Sequence, residues 1–169
     1  IEIQYSINSI TRGMFEGCTS LKEVIIPSSV IAIQDSAFKD CKCLVKIEIP
    51  SFVLSIGSSA FKDCSSLKKI EIPSSVTSIP SNMCDGCSSI EEVIVQSSIL
   101  SIGEFAFNEC KKLMRISILS SVEEIERYAF NECSSLKQII ITSNVNKIGE
   151  FAFYKCYSLE DVKISSNEL

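Results

Sequence analysis

The stretch SAFKDCSSLKKIEIPSSV, Ser59 to Val76, is a near copy of SAFKDCKCLVKIEIPSFV, Ser36 to Val53, and lies 23 positions after it. A fixed period of about 20 to 50 residues implies like units stacked in an array rather than a single folded knot. The rest of the chain keeps the same period. Phe15, Phe38, Phe61, Phe107, Phe130 and Phe153 fall on one 23-residue grid, whose missing member is Cys84. Three residues after each grid position stands Cys18, Cys41, Cys64, Cys87, Cys110, Cys133 or Cys156, and six after it Leu21, Leu44, Leu67, Ile90, Leu113, Leu136 or Leu159. A β-branched pair follows, from Val24 with Ile26 to Val162 with Ile164. Ile10, Ile33, Ile56, Ile79, Ile102, Ile125 and Ile148 complete the register, and Ile1 with Ile3 is the tail of one more unit.

Within a unit, the Leu-x-x-Ile-x-Ile segment alternates apolar and polar residues, the period of a half-buried strand. Pro27, Pro50 and Pro73 follow directly and end the ladder, because proline lacks an N–H and has a fixed φ. Ile56, Ala60 and Cys64 are spaced four apart with Phe61 beside them, which predicts one inward face of a short helical or 3₁₀ turn. A unit is thus a strand, a turn, an apolar segment and a helical return, with parallel strands stacked about 4.8 Å apart. No linker or composition shift interrupts the array, so residues 1–169 read as a single domain.

Hydrophobic residues make up 46% of the chain and charged residues 22%, a globular rather than disordered composition. The net charge of -5 is spread without long runs of either sign, which argues against nucleic-acid or anionic-membrane partners. No apolar run approaches the roughly 18 residues that would cross a bilayer, so this segment is not expected to insert in a membrane. The first residues lack a signal-peptide profile and an initiating Met, so the chain is expected to be a fragment of something longer.

There is no histidine, which removes Ser-His-Asp and Cys-His nucleophile systems and the commonest zinc ligand. Gly57, Gly103 and Gly149 sit singly on the repeat grid, where they serve turns, and no phosphate-binding loop is present. Glu91-Glu92 and Glu123-Glu124 are adjacent in sequence and read as solvated acids. Neither a catalytic site nor a cofactor or metal site is expected. The nine cysteines, an odd number, do not pair completely within one chain. Side chains stacked in a column run parallel, whereas a disulfide needs converging Cβ atoms, so the column reads as buried structural thiols. Cys84-Asp85-Gly86-Cys87 has the spacing of a redox motif, but it lacks a βαβ context, and its first cysteine stands where the grid calls for Phe. A packing deficit filled by Met83 is the plainer consequence. Cys43 lies outside the column and is the candidate for a reactive thiol or an intermolecular disulfide.

The period and the strand core L21-x-x-V24-x-I26 resemble leucine-rich repeats, although Ser29 stands where the commonest form has Asn or Cys and the cysteine precedes the leucine. The order IPSSV, Ile-Gly, AF, Cys-x-x-Leu is similar to the BspA-like subfamily over essentially the whole chain. The resemblance implies an α/β repeat solenoid. This would be a right-handed leucine-rich repeat coil of about seven repeats, with a parallel β-sheet on one face and short helical or 3₁₀ turns on the other. It also implies a non-enzymatic protein-binding module of a cell-surface or secreted adhesin or surface antigen. The partner would be a host protein or other extracellular macromolecule. An intracellular scaffold or spacer without its own ligand is the alternative, and a cytoplasmic location stays open.

Recognition in such an array falls to residues that differ from coil to coil. On the outward strand face, Glu23 with Lys46 and Lys69 with Glu92 are placed to pair across strands. Ile94, Met114, Leu119 and Ile140 form an apolar zone there, the first candidate docking surface. The second is the column two residues before the Phe grid, where Phe105, Tyr128 and Phe151 stand beside Glu104, Arg127 and Glu150. These rings either hold a ligand or pack on one another. The ends show no polar cap, which predicts end-to-end self-association at high concentration.

Overall fold

The computed structural model describes residues 1–3, 6–95, 99–117, 122–142 and 144–165. Two sets of strands alternate along the chain. One comprises β1 (Ser9–Ile10), β3 (Ala32–Ile33), β5 (Ser55–Ile56), β7 (Ser78–Ile79), β9 (Ser101–Ile102), β11 (Glu124–Ile125) and β13 (Lys147–Ile148). The other comprises β2 (Glu23–Val24), β4 (Lys46–Ile47), β6 (Lys69–Ile72), β8 (Glu92–Val95), β10 (Arg115–Ser117), β12 (Gln138–Thr142) and β14 (Asp161–Ser165). Every strand pair is parallel and in 23-residue register, as in Ile70↔Val93 and Ile125↔Ile148. The chain is therefore a parallel β-solenoid of about six turns: from Glu23 to Asp161 is 138 residues, six periods of 23.

The repeated apolar residues fill the interior. Phe38, Phe61, Phe107 and Phe130 are fully buried, and so are Leu44, Leu67, Leu113 and Leu136. Phe rings stack coil on coil, with centroids 5.2 Å apart for Phe15 and Phe38 and 5.6 Å for Phe38 and Phe61. Cys84 interrupts this spine, and Met83 is buried beside it. Beyond the break, the stack resumes from Phe107 to Phe130 at 5.4 Å and from Phe130 to Phe153 at 5.5 Å.

The expected helical return is not present: among the described residues there is no helix. The residues that were to form its inward face, Ala60, Phe61 and Cys64, are buried, but the backbone is a chain of tight turns. Ser59 and Asp63 have φ of 57° and 58°, and the same two places recur as Ser36 with Asp40 and Tyr128 with Glu132. A left-handed residue every fourth position breaks an α ladder. The amides are also committed elsewhere. Those of Ser59, Phe61 and Asp63 bond to Ser81, Met83 and Asp85 of the next coil, while Lys62 and Cys64 close local turns onto Ser59 and Phe61. A helix would forfeit the inter-coil bonds.

The second strand set was not anticipated either. Its units are two residues long, Ser-Ile in most coils, too short to show alternation.

Candidate functional site

The strands β6, β8, β10, β12 and β14 form the longest sheet, and their outward residues line one face. Register places Lys69, Glu92, Arg115, Gln138 and Asp161 in one row. Lys69 and Glu92 form an ion pair at 3.1 Å, and the Gln138 amide donates to Asp161 at 3.5 Å. Glu23 and Lys46 are register partners, but Lys46 makes its ion pair with Glu48 of its own coil, at 2.5 Å. The hydrogen bond and charge of that pair raise the Lys46 pKa and lower that of Glu48.

Of the apolar candidates on this face, Ile94 stands on β8 and Ile140 on β12, both half-buried, and they flank β10. Met114 immediately precedes β10 and is 49% exposed. Leu119 lies outside the described residues. The structure thus brings three of the four to adjacent coils.

The aromatic candidates also form one column. Phe105 and Tyr128 stack with centroids 4.9 Å apart and Tyr128 and Phe151 with centroids 5.1 Å apart, nearly parallel in both pairs. Arg127 bonds Glu104 at 2.9 Å and lies 5.1 Å from the Tyr128 centroid. Tyr154 meets Phe151 edge-on at 5.6 Å. Tyr128 is thus stacked on both ring faces, while Phe151 at the end of the column is 51% exposed. All three residues have positive φ, between 55° and 57°.

Six of the seven column thiols donate to a backbone carbonyl one coil earlier. Cys41, Cys64, Cys87, Cys133 and Cys156 reach Phe15, Phe38, Phe61, Phe107 and Phe130 at 3.1 Å, and Cys110 reaches Cys84 at 3.4 Å. Burial pushes the Cys41 and Cys156 thiols up to about 11, and raises Cys84, Cys87, Cys110 and Cys133 as well. A protonated, enclosed thiol is a poor nucleophile. Cys43 is exposed. Among the described residues, no group of three or more Cys, Asp or Glu is arranged to hold a metal ion.

Two features escaped sequence reasoning. A polar ladder runs along the turn side: Lys62 pairs with Asp85 at 2.7 Å, Asn108 donates to Asp85 at 2.7 Å, and Asn131 donates to Asn108 at 2.6 Å. These residues stand 23 apart, so the spacing that marks the apolar columns marks this one too. The second is alternation at one position. Gly57, Gly103 and Gly149 admit no side chain, since a Cβ at Gly103 would lie 2.6 Å from the Ser81 nitrogen. In intervening coils, Gln34 and Glu126 stand there and cap the amides of Arg12 and Glu104, each at 3.0 Å.

A family profile for the BspA type leucine rich repeat region matches residues 1–113 and 78–169 in six copies. Solved structures agree. A leucine-rich repeat protein from Eubacterium ventriosum is 30% identical with a TM-score of 0.86, over 95% of this chain and 43% of that one. The T. pallidum leucine rich repeat protein is 27% identical with a TM-score of 0.82, over 95% of this chain and 78% of that one. A leucine rich cell surface protein from Faecalibacterium prausnitzii is 27% identical with a TM-score of 0.52, over 99% of this chain and 60% of that one. The chain thus spans less than two thirds of the first and third of these relatives. Comparison with curated proteins returns no match.

Proposed function

The chain belongs to the BspA type leucine-rich repeat family, and from that premise we propose that it is a non-catalytic protein-binding module of a cell-surface or secreted protein. It meets its partner with the face lined by β6, β8, β10, β12 and β14. One observation carries this reading: the residues that recur every 23 positions are buried in the core, while the outward row changes chemistry from coil to coil. A rigid scaffold bearing a variable face is suited to recognition rather than to turnover. Ile94, Met114 and Ile140 supply an apolar centre, and Lys69, Glu92 and Arg115 a charged rim, the usual anatomy of a docking surface. The surface location rests on the description of the Faecalibacterium relative.

The test is a binding screen against purified extracellular-matrix and serum proteins, using the chain and a variant carrying Ile94→Asp and Met114→Asp. Circular dichroism checks that the variant folds. Binding that the double substitution abolishes supports the strand face. Binding that survives it removes that face from contention, and no binding at all favours a spacer.

A further inference from the structure

Neither strand ladder is continuous, and both break at the same place. The strand sets divide as β1-β3-β5 and β7-β9-β11-β13 on one side, and as β2-β4 and β6-β8-β10-β12-β14 on the other. Both breaks fall between the coil that holds β4 and β5 and the coil that holds β6 and β7. A shared boundary points to one cause per side, and both causes are visible in the residues.

On the first side the cause is Pro80. In other coils the amide at this position closes onto the Ile two strands back, as Gly57 does onto Ile33, Gly103 onto Ile79 and Glu126 onto Ile102. Pro80 has no N–H to give Ile56. The neighbouring bond is lost with it: Leu54 donates to Ile31 and Leu100 to Thr77, but no such bond joins Thr77 to Leu54. On the other side, Lys46 and Lys69 stand at equivalent positions of successive coils, and each makes its ion pair on its own side of the boundary, Lys46 with Glu48 and Lys69 with Glu92, so neither ion pair crosses it. A depression of about 430 Å3 opens there, lined by Lys46, Glu48, Lys69 and Glu71 above Ile47 and Pro73.

The turn side of this boundary is intact. Ser59, Phe61 and Asp63 donate to the next coil at 3.1, 2.9 and 2.7 Å, and the Cys87 thiol reaches Phe61 across it. Away from the turns, the links described between residues of the two coils are the Lys68 amide to Val45 at 3.3 Å, and the Ser75 hydroxyl to Ser51 at 3.0 Å and to Val53. We propose that this boundary is a hinge. The arm of β1 to β5 and the arm of β6 to β14 swing as two bodies about the turn column, which widens or narrows the strand-side depression. The two arms differ from the hinge in having complete ladders, so bending concentrates where the fewest bonds must yield.

Electron–electron distance measurements on spin labels carried by non-cysteine unnatural side chains test this. Labels at Leu54 and Leu100 straddle the boundary on the strand side, and labels at Leu100 and Asn146 have the same 46-residue spacing within one arm. The straddling pair should show a distance distribution about twofold broader. A pair at Lys42 and Ser88, which straddles the boundary on the turn side, should stay as narrow as the control. Pro80→Gln, which restores the amide and the residue type found at Gln34, should narrow the first pair. Equal widths for the two strand-side pairs overturn the hinge. Broadening on the turn side as well replaces it with separation of the whole boundary, which also overturns it. If Pro80→Gln does not fold, the comparison in the unaltered chain decides.

Discussion

The thiol of Cys64 donates to the backbone carbonyl of Phe38, 26 residues earlier and one coil away, at 3.1 Å. That carbonyl already accepts the Cys41 amide at 3.2 Å, so the thiol is its second donor. Cys64 therefore ties two coils together while filling a small buried space. Cys64→Ala should remove the bond, leave a small void and lower the unfolding free energy by about 1–2 kcal/mol in urea titration. An unchanged midpoint would show that neither the bond nor the filled space contributes to stability.

The thiol column also makes stability depend on pH, and the direction follows from burial. Desolvation raises the pKa of Cys41 to about 11 and holds Cys87, Cys110 and Cys133 well above their ordinary value. In the unfolded chain the same thiols ionise at about 8.5. Above that pH the unfolded state has lost protons that the folded state keeps, so stability falls as pH rises from about 8.5 toward the folded values. Each fully buried thiol contributes a slope of about 1.4 kcal/mol per pH unit in that window. Urea midpoints at pH 7 and pH 9.5 should differ accordingly, and Cys110→Ala should flatten the slope by one thiol's share. A pH-independent midpoint would contradict the burial.

How far the structure was legible depended on which physical cause set each feature. The Phe, Cys, Leu and Ile columns were readable because a single period dictates them, and the long sheet was readable from segments such as Lys69–Ile72. The helical reading of Ile56, Ala60 and Cys64 failed because a spacing of four on one face also arises from successive turns. The turns went unmarked because Ser59 and Asp63, not glycines, take the left-handed positions. Ile94 and Ile140 were placed on one face by register alone. Pro80, Lys46 and Lys69 were present in the sequence, but their consequence shows only where two ladders stop at one boundary.

Asp85 is the acidic member of the turn-side ladder and is only 9% exposed. It accepts from Lys62 and from Asn108, each at 2.7 Å, so its removal leaves two donors unmatched. Asp85→Ala should cost about 2–3 kcal/mol, because an unpaired donor in a sheltered site loses more than the bond itself contributed. Asp85→Asn should cost less, since it still accepts from Asn108. Equal losses for the two variants in urea titration would assign the effect to packing rather than to the ladder.

Tyr128 sets two effects against each other. Its φ of 57° is unfavourable for a bulky residue, yet its ring lies 4.9 Å from Phe105 and 5.1 Å from Phe151, with Arg127 also 5.1 Å from its centroid. Two ring stacks at about 0.5–1.5 kcal/mol each outweigh a left-handed backbone cost of about 1 kcal/mol. Tyr128→Ala keeps that cost and loses both stacks, so it should destabilise by about 1–3 kcal/mol. Tyr128→Gly and Tyr128→Asn also lose the stacks but tolerate the backbone, as Gly13 and Asn82 do at the same place in their coils. The expected order of urea midpoints is Tyr128 highest, Gly and Asn intermediate, and Ala lowest. A glycine variant more stable than the natural chain would show that the strain, not the stacking, governs this column.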